Sequence, residues 1–494
     1  MLVNLDKPRR EPITRVDTAW LRMESPTNLM MITGVIVLDD AVDFPLLKEI
    51  IRTRFLSFPR FACRPVQHNG RGYWERDEHF EITAHVRRTA LPGKADKAEL
   101  ESLVSELAST PLDKTKPLWQ FNLVENYDKG PVLISRIHHC YADGMALVQV
   151  LLSLTESDRE ASCKPVEPER WTRIRARESG LFRRLLEPAR EGCDALQQIS
   201  QKVLGEARAM LYRPERAAGY LNDGTEILAE LAHALTLSAD PPCRFKGPLG
   251  VRKQVAWNEP LDLEEVKAVG KALGATVNDV LISCITGALH RYLRDCGDDP
   301  GQLQIRATVP VNLRPLEHSR ELGNHFGLVF LDLPVGENNP LRRLCRVNEN
   351  MRHLKESKQA TVALGLLAAL GMAPGVAHKP ALEMLSSKAT TVLTNLPGPA
   401  EPLFLAGSRV EQLMFWVPQT GNIGMGISIL SYDGKVFCGL VTDHRQVPDP
   451  RKIVSRFRPE FENLLHLTML LGPDHVADSD GVEQQVHGWI EGTD

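Results

Sequence analysis

Residues 131–150 read PVLISRIHHCYADGMALVQV. An apolar run from Val132 meets two adjacent histidines, His138 and His139; Cys140-Tyr141-Ala142, then Asp143-Gly144, lead into a second apolar run with helical spacing. The pattern predicts a strand, a tight turn and an amphipathic helix over Gly144–Leu154. Alternation along the strand puts Ile134, Arg136 and His138 on one face and Ser135, Ile137 and His139 on the other. Only one of the two histidines can therefore enter a given cleft. Gly144 suits the turn because glycine adopts conformations that other residues avoid. Asp143, beside it, is placed to orient backbone or a side chain.

Neighbouring strand histidines cannot easily share one ion, and no HxxxH or HExxH pattern accompanies them, so no metal site is expected. No GxSxG elbow is present to supply a serine nucleophile. Cys140 has no separate base in the motif, which argues against a nucleophilic thiol. A lone histidine needs no such helpers. Its ordinary pKa of about 6.5 lets it take a proton near neutral pH. The competing reading is a pair of histidines buried for packing.

Outward from the motif, Pro117–Glu125 pairs with the motif strand through the turn at Asn126–Gly130, and Ile32–Leu38 reads as a further strand and Phe44–Phe58 as a helix. In the second half, Leu261–Leu273, Thr276–Leu293 and Arg451–Leu467 have helical spacing. Strands are expected at Ile305–Val311, Leu328–Val335, Thr391–Leu396, Ile427–Tyr432 and Lys435–Val441; the last two flank Asp433-Gly434, a type I′ hairpin signal. Between the halves, Arg170–Arg190 carries seven Arg and two Glu. This segment reads as a helical connector, with either solvated basic faces or a membrane-surface helix. Thr361–Ala373, TVALGLLAALGMA, is too short to span a bilayer. It reads either as a buried core helix or as an apolar wall around a lipid. The boundaries expected are 1–156, 157–242 for the connector, 243–473, and an acidic tail 474–494 with six acidic residues and no Lys or Arg.

Composition narrows the class further. The 494 residues are 43% apolar and 25% charged with a net charge of −4, which excludes collagen, a disulfide scaffold and a wholly disordered chain, and gives no overall pull toward nucleic acid. The nine cysteines are scattered with no CxxC pair, as expected of reduced thiols in a cytoplasmic protein. The N-terminus shows no secretory signal.

His138-His139-xxx-Asp143-Gly144 matches the HHxxxDG signature of CoA-dependent acyltransferases, as in chloramphenicol acetyltransferase-like folds and peptide-synthetase condensation domains. The companion segments are Asp17-Thr-Ala-Trp20, ESPTNLMMITG from Glu24, Pro117-Leu118-Trp119, Asn278-Asp279, Pro310-Val311-Asn312-Leu313-Arg314, Gly323-Asn324 and Thr394-Asn395-Leu396-Pro397-Gly398-Pro399. In this order, from about Val16 to about Leu467, the chain resembles the bacterial wax ester synthase/acyl-CoA:diacylglycerol acyltransferase family. The resemblance implies an α/β (α+β) fold of two chloramphenicol acetyltransferase-like domains, with mainly antiparallel sheets flanked by helices and a tunnel between them. It implies His139 as general base for an alcohol attacking an acyl-CoA thioester in a ternary complex, with His138 and Asp143 as motif architecture and no bound cofactor or metal. Acyl-CoA would be co-substrate, diacylglycerol or a long-chain alcohol the acceptor, and triacylglycerol or wax ester the product. Peripheral contact with the inner membrane or lipid inclusions would follow.

Beside that expectation, Asn278 reads either as a helix N-cap, with Asp279 in the first turn, or as a substrate-binding side chain. Asn395 reads either as a turn residue after its strand or as a substrate contact. Pro117, Leu118 and Trp119 read as structural, Trp119 being a large core residue. Two other functions fit parts of the pattern. One is a related acyltransferase with another alcohol or an amine acceptor. The other is a non-catalytic lipid-droplet-binding protein, against which the intact His139 and Asp143 argue.

Overall fold

The computed structural model describes residues 10–68, 71–164, 237–312, 326–356, 383, 386–419 and 421–471. The first part contains β1 (Arg10–Pro12), α1 (Arg15–Met23), β2 (Met31–Leu38), α2 (Phe44–Ile50), β3 (Cys63–His68), β4 (Arg71–Arg76), β5 (Val86–Thr89), α3 (Lys97–Ser109), β6 (Trp119–Val124), β7 (Val132–His138) and α4 (Gly144–Leu152). The second contains β8 (Lys253–Trp257), β9 (Leu261–Asp262), α5 (Leu263–Ala272), α6 (Val277–Asp295), β10 (Ile305–Asn312), β11 (Phe326–Leu333) and α7 (Pro340–Glu356). It continues with β12 (Thr391–Pro397), β13 (Phe404–Leu405), β14 (Ser408–Trp416), β15 (Met425–Tyr432), β16 (Lys435–Asp443) and α8 (Pro450–Leu471).

Two large sheets organise these elements. The first has the order β13-β14-β2-β7-β6-β5, antiparallel except at β5–β6. Every residue of β2 and β7 is buried. Central strands covered on both faces read as continuous apolar runs, which is why the motif strand is so apolar. The second sheet has the order β11-β10-β12-β15-β16-β8, with β9 also on β16; β12 is parallel to both its neighbours and the other pairs are antiparallel. Mixed sheets that are mainly antiparallel and flanked by helices are what the sequence implied. The β15–β16 turn has φ 47° at Asp433 and 71° at Gly434, the two positive values that a type I′ turn requires.

Sheet membership departs from a clean division at residues 156 and 243. Strands β13 and β14 come from the C-terminal stretch but complete the first sheet, β14 pairing antiparallel with β2 from Val410↔Leu38 to Trp416↔Thr33. Each half therefore contributes to the sheet that carries the motif. A second tie is α3 against β8, the edge strand of the second sheet. Glu101 Oε1, Ser105 Oγ and Ser109 Oγ accept the backbone N–H groups of Trp257 (3.3 Å), Val255 (2.8 Å) and Lys253 (2.8 Å). Four helical residues rise about 6 Å and two strand residues about 6.6 Å, so i, i+4, i+8 on the helix matches i, i+2, i+4 on the strand. An edge that would otherwise invite another strand is closed by side chains.

Several expectations fall outside the described residues: most of the connector with Arg170–Arg190, the apolar Thr361–Ala373, Leu313, Arg314, Gly323, Asn324 and the acidic tail. Among the described residues no single helix is long and apolar enough to cross a membrane.

Candidate active site

Strand β7 delivers the histidines to the end of the sheet between β2 and β6. The His138 N–H donates to Leu118 O (3.0 Å) and the His139 N–H to Met30 O (2.7 Å), so both backbones are pinned by flanking segments. The two rings then go different ways. His138 is 2% exposed, its Nδ1 accepts the Cys140 N–H (3.1 Å), and its Nε2 lies 3.2 Å from Glu24 Oε2. A ring nitrogen that accepts is unprotonated, so the proton sits on Nε2 and is donated to the carboxylate. Burial works to raise the Glu24 pKa, but the hydrogen bond from His138, with Lys114 Nζ at 3.4 Å, outweighs it and holds the carboxyl below its usual value. His139, 3% exposed, lies instead on the Trp20 indole from α1, with ring centroids 3.9 Å apart and planes at 23°.

Asp143 is the N-cap of α4, with extended backbone (φ −69°, ψ 167°) and Oδ1 accepting the Ala146 N–H at 2.9 Å. Short polar side chains satisfy the otherwise unpaired first N–H groups of a helix in this way. Gly144 corrects the sequence reading. It is the first residue of α4, and its φ lies outside the left-handed region. The room is what matters: a Cβ there would sit 3.3 Å from Val417 Cγ1 and 3.8 Å from Ile32 Cδ1, so glycine lets α4 start close against the residue that follows β14.

The Pro117-Leu118-Trp119 segment frames the loop. Leu118 O accepts from His138, as above, and the Leu118 N–H donates to Tyr141 Oη at 2.9 Å. Tyr141 Oη donates in turn to Cys63 O (2.7 Å), and Trp119 Nε1 to Phe61 O (2.7 Å). Trp119 and Tyr141 are buried in a ring cluster with Phe55, Phe61 and Trp74. Arg60 donates to Tyr141 O (3.3 Å) and lies 3.8 Å from the buried Asp17. Cys140 is fully buried, and burial, with Asp17 and Glu24 nearby, pushes its thiol pKa well up. A thiol held protonated is a poor nucleophile.

The two asparagines singled out from the sequence meet each other: Asn395 Nδ2 donates to Asn278 Oδ1 at 2.8 Å across 117 residues of sequence. Asn278 is not the helix cap. Thr276 is, forming a capping box with Asp279, whose Oδ2 accepts the Thr276 N–H (2.8 Å) and the Asn348 amide (2.8 Å). Asp279 thus ties the helix start to α7, and the cap reading of Asn278 is removed. Glu24 and Trp20 escaped single-residue reading; the available signal was their place in the two N-terminal segments that accompany the motif. Among the described residues no group of three or more His, Cys, Asp or Glu side chains has the arrangement of a metal site.

Residues 13–281 match the wax ester synthase/diacylglycerol acyltransferase catalytic domain, and residues 322–465 the WS/DGAT C-terminal domain. A putative diacylglycerol O-acyltransferase of Mycobacterium tuberculosis is 29% identical over 434 residues, covering 85% of this chain and 86% of that protein. The O-acyltransferase WSD of Acinetobacter baylyi is 24% identical, covering 91% and 96%. Among solved structures, the wax ester synthase/diacylglycerol acyltransferase of Marinobacter aquaeolei shares the fold with a TM-score of 0.66 at 20% identity, over 93% of this chain and all of that one. The first condensation domain of the calcium-dependent antibiotic synthetase shares it at 0.57 and 16% identity, over 97% and 99%. With catalytic and C-terminal profiles together spanning most of its length, the chain belongs to the wax ester synthase/diacylglycerol acyltransferase family, whose reaction is acyl transfer to diacylglycerol or an alcohol.

Proposed function

We propose that His139 is the general base of a direct transfer from acyl-CoA to diacylglycerol or a long-chain alcohol. The observation that carries this is the state of its neighbour: both ring nitrogens of His138 are committed, one to the Cys140 N–H and one to Glu24. A ring so held cannot take a proton without breaking the bond that shapes the loop. In the reaction the acceptor hydroxyl gives its proton to His139 as its oxygen attacks the thioester carbonyl. The tetrahedral intermediate collapses with cleavage of the C–S bond, and the imidazolium returns the proton to the CoA thiolate. The products are ester and free CoA, with the base regenerated. A thioester is already activated, so positioning and one proton shuttle suffice.

Asp143, His138 and Gly144 hold the loop from which His139 acts. Asn278 and Asn395 are assigned to substrate binding. Their mutual bond leaves Asn278 with amide hydrogens to donate and Asn395 with a carbonyl to accept, a pair suited to the amides of the CoA pantetheine arm. The Arg-rich stretch 170–190 is assigned to contact with an anionic lipid surface.

The test is His139→Ala, assayed for thiol release from acyl-CoA with hexadecanol and with diacylglycerol in parallel. A base of this kind contributes about 10²–10⁴-fold. Loss of that size in a variant with unchanged circular dichroism is expected, and undiminished turnover ends the proposal. The ratio of the two acceptors in the wild-type protein assigns the acceptor.

A further inference from the structure

We infer that Trp20 is a positioning residue for His139, setting the plane of its ring and favouring its protonated form during turnover. The inference rests on the reading of His139 as base. The backbone of His139 is fixed through Met30 O at 2.7 Å, but that leaves the ring plane undetermined, because χ2 of histidine is broad and roughly two-fold. The indole restrains it. With centroids 3.9 Å apart and planes 23° from parallel, rotation of the imidazole out of the stack would drive its edge into the indole face.

Trp20 itself is well anchored. It is 3% exposed and sits in α1, whose N-cap Thr14 accepts the Asp17 N–H at 3.1 Å. The helix leads directly to Glu24, the carboxylate that holds His138. One short helix thus fixes both histidines, one by a hydrogen bond and the other by a ring face.

The stack also acts on charge. An indole face is negative, so it attracts a cation more strongly than a neutral ring, and in an enclosed site this preference is larger than in water. His139 is neutral before the reaction and imidazolium once the alcohol has been deprotonated. The contact is therefore stronger as the transition state is approached than in the ground state, which is the condition for accelerating the step rather than tightening binding. The ionisable groups on the surrounding elements are Asp17 of α1, with Arg60 at 3.8 Å; Glu24, held by His138 and Lys114; and Asp143, capping α4. All of these residues are retained in both Trp20 variants, so a difference between the variants reads the ring face.

The experiment compares Trp20→Phe, which keeps a ring face, with Trp20→Met, which keeps bulk without one. For each, kcat, KM for both substrates and the pH profile of kcat/KM are measured, and the His139 ring is titrated by NMR in histidine-labelled protein. Trp20→Phe is expected within about threefold of wild type. Trp20→Met is expected to lose tenfold or more in kcat with KM little changed, and both its His139 titration and the acidic limb of its profile are expected to move to lower pH by about one unit. If Trp20→Met fails to fold, site-specific fluorinated tryptophans at position 20 withdraw electron density at constant shape, and His139 should titrate lower with each added fluorine. Equal losses in both variants with an unmoved titration, or a fluorine series without trend, overturn the inference and leave His139 as base intact. Full turnover in His139→Ala overturns the base instead, and the NMR titration still reports on the stack.

Discussion

Replacing Asp143 separates architecture from chemistry in the motif, and the structure sets the size of the effect. Its Oδ1 accepts the Ala146 N–H at 2.9 Å in a residue that is 3% exposed. Asp143→Ala removes that cap and leaves a buried donor unpaired, a loss of about 2 kcal/mol, at the upper end for helix caps. Asp143→Asn keeps an oxygen in the same place, and asparagine is as good an N-cap; the charge beside the helix N-terminus is lost, a term of about 0.5 kcal/mol. At about 2.1 cal/mol/K of unfolding entropy per residue, 1 kcal/mol moves the Tm of a 494-residue chain by about 1 °C, so the alanine variant should melt roughly 2 °C low and the asparagine variant within about 1 °C of wild type. Activity should follow the same order if Asp143 only holds the loop: Asn within about tenfold of wild-type kcat, Ala well below it, since a base displaced by a fraction of an ångström loses much of its rate. Scanning calorimetry and a thiol-release assay read both quantities on the same samples. An Asp143→Asn protein with wild-type Tm and unchanged KM for both substrates, but with kcat reduced by about a thousandfold, would refute the reasoning and make the carboxylate charge a participant in the reaction.

Elsewhere in the chain, Gly287 of α6 packs against the buried Arg343–Glu460 ion pair between α7 and α8, and a Cβ there would approach Arg343 Cζ to 2.6 Å. Gly287→Ala should separate the pair and lower stability by about 3–5 kcal/mol, seen as a fall in Tm of about 3–5 °C; a fall under about 1 °C contradicts the close packing. At the α3–β8 seam, burial raises the Glu101 pKa from 4.5 against the opposing pull of Arg451 and Lys97. Between 4.5 and the raised value the folded protein binds more protons there than the unfolded chain, so this group's contribution to stability falls as pH rises. The Tm of wild type minus that of Glu101→Gln should therefore decline as pH rises from about 4.5, levelling above the folded pKa; a difference that stays flat or climbs with pH speaks against it.

The motif and its strand were legible because they obey local rules. Two-sided burial gives a continuous apolar strand, and Asp143-Gly144 starts a helix whose apolar spacing is visible in one turn. The hairpin at Asp433-Gly434 and the helices α5, α6 and α8 were legible for the same reason, whereas α3 and α7 were not anticipated. Strand β14 was not. Buried and half-buried residues do not alternate along it, and a register shift between Val410 and Gln412 marks the bulge that breaks the period. Its partner β2 lies more than 370 residues earlier, and nothing in nine residues of sequence specifies such a pairing. Asn278 shows a different limit. A helix start was evident, but Thr276 and Asn278 are both good caps, and the choice was settled by Asp279 standing three residues after Thr276.

The adjacency of the two histidines now has a physical reason. A strand end offers one residue to each face, so two consecutive side chains can serve one loop without competing for the same space. His138 uses its place to tie the Cys140 N–H to Glu24 through a single ring in a fixed tautomer, which holds the chain as it leaves the sheet. Asp143 closes the other end of the loop on α4, and Tyr141 ties its middle to Leu118 and Cys63. His139 therefore projects from a segment clamped before, within and after it, with its ring laid on Trp20. In the proposed role of base, His139 would meet a hydroxyl and then a thiolate, and rigidity would serve it because both partners arrive by binding and only the imidazole is supplied by the chain. On this argument exchanging the order of function fails: a His138→Gln protein loses rate by loosening the loop and should regain part of it wherever Gln can still accept from Cys140 and donate to Glu24, whereas no side chain short of an imidazole restores His139.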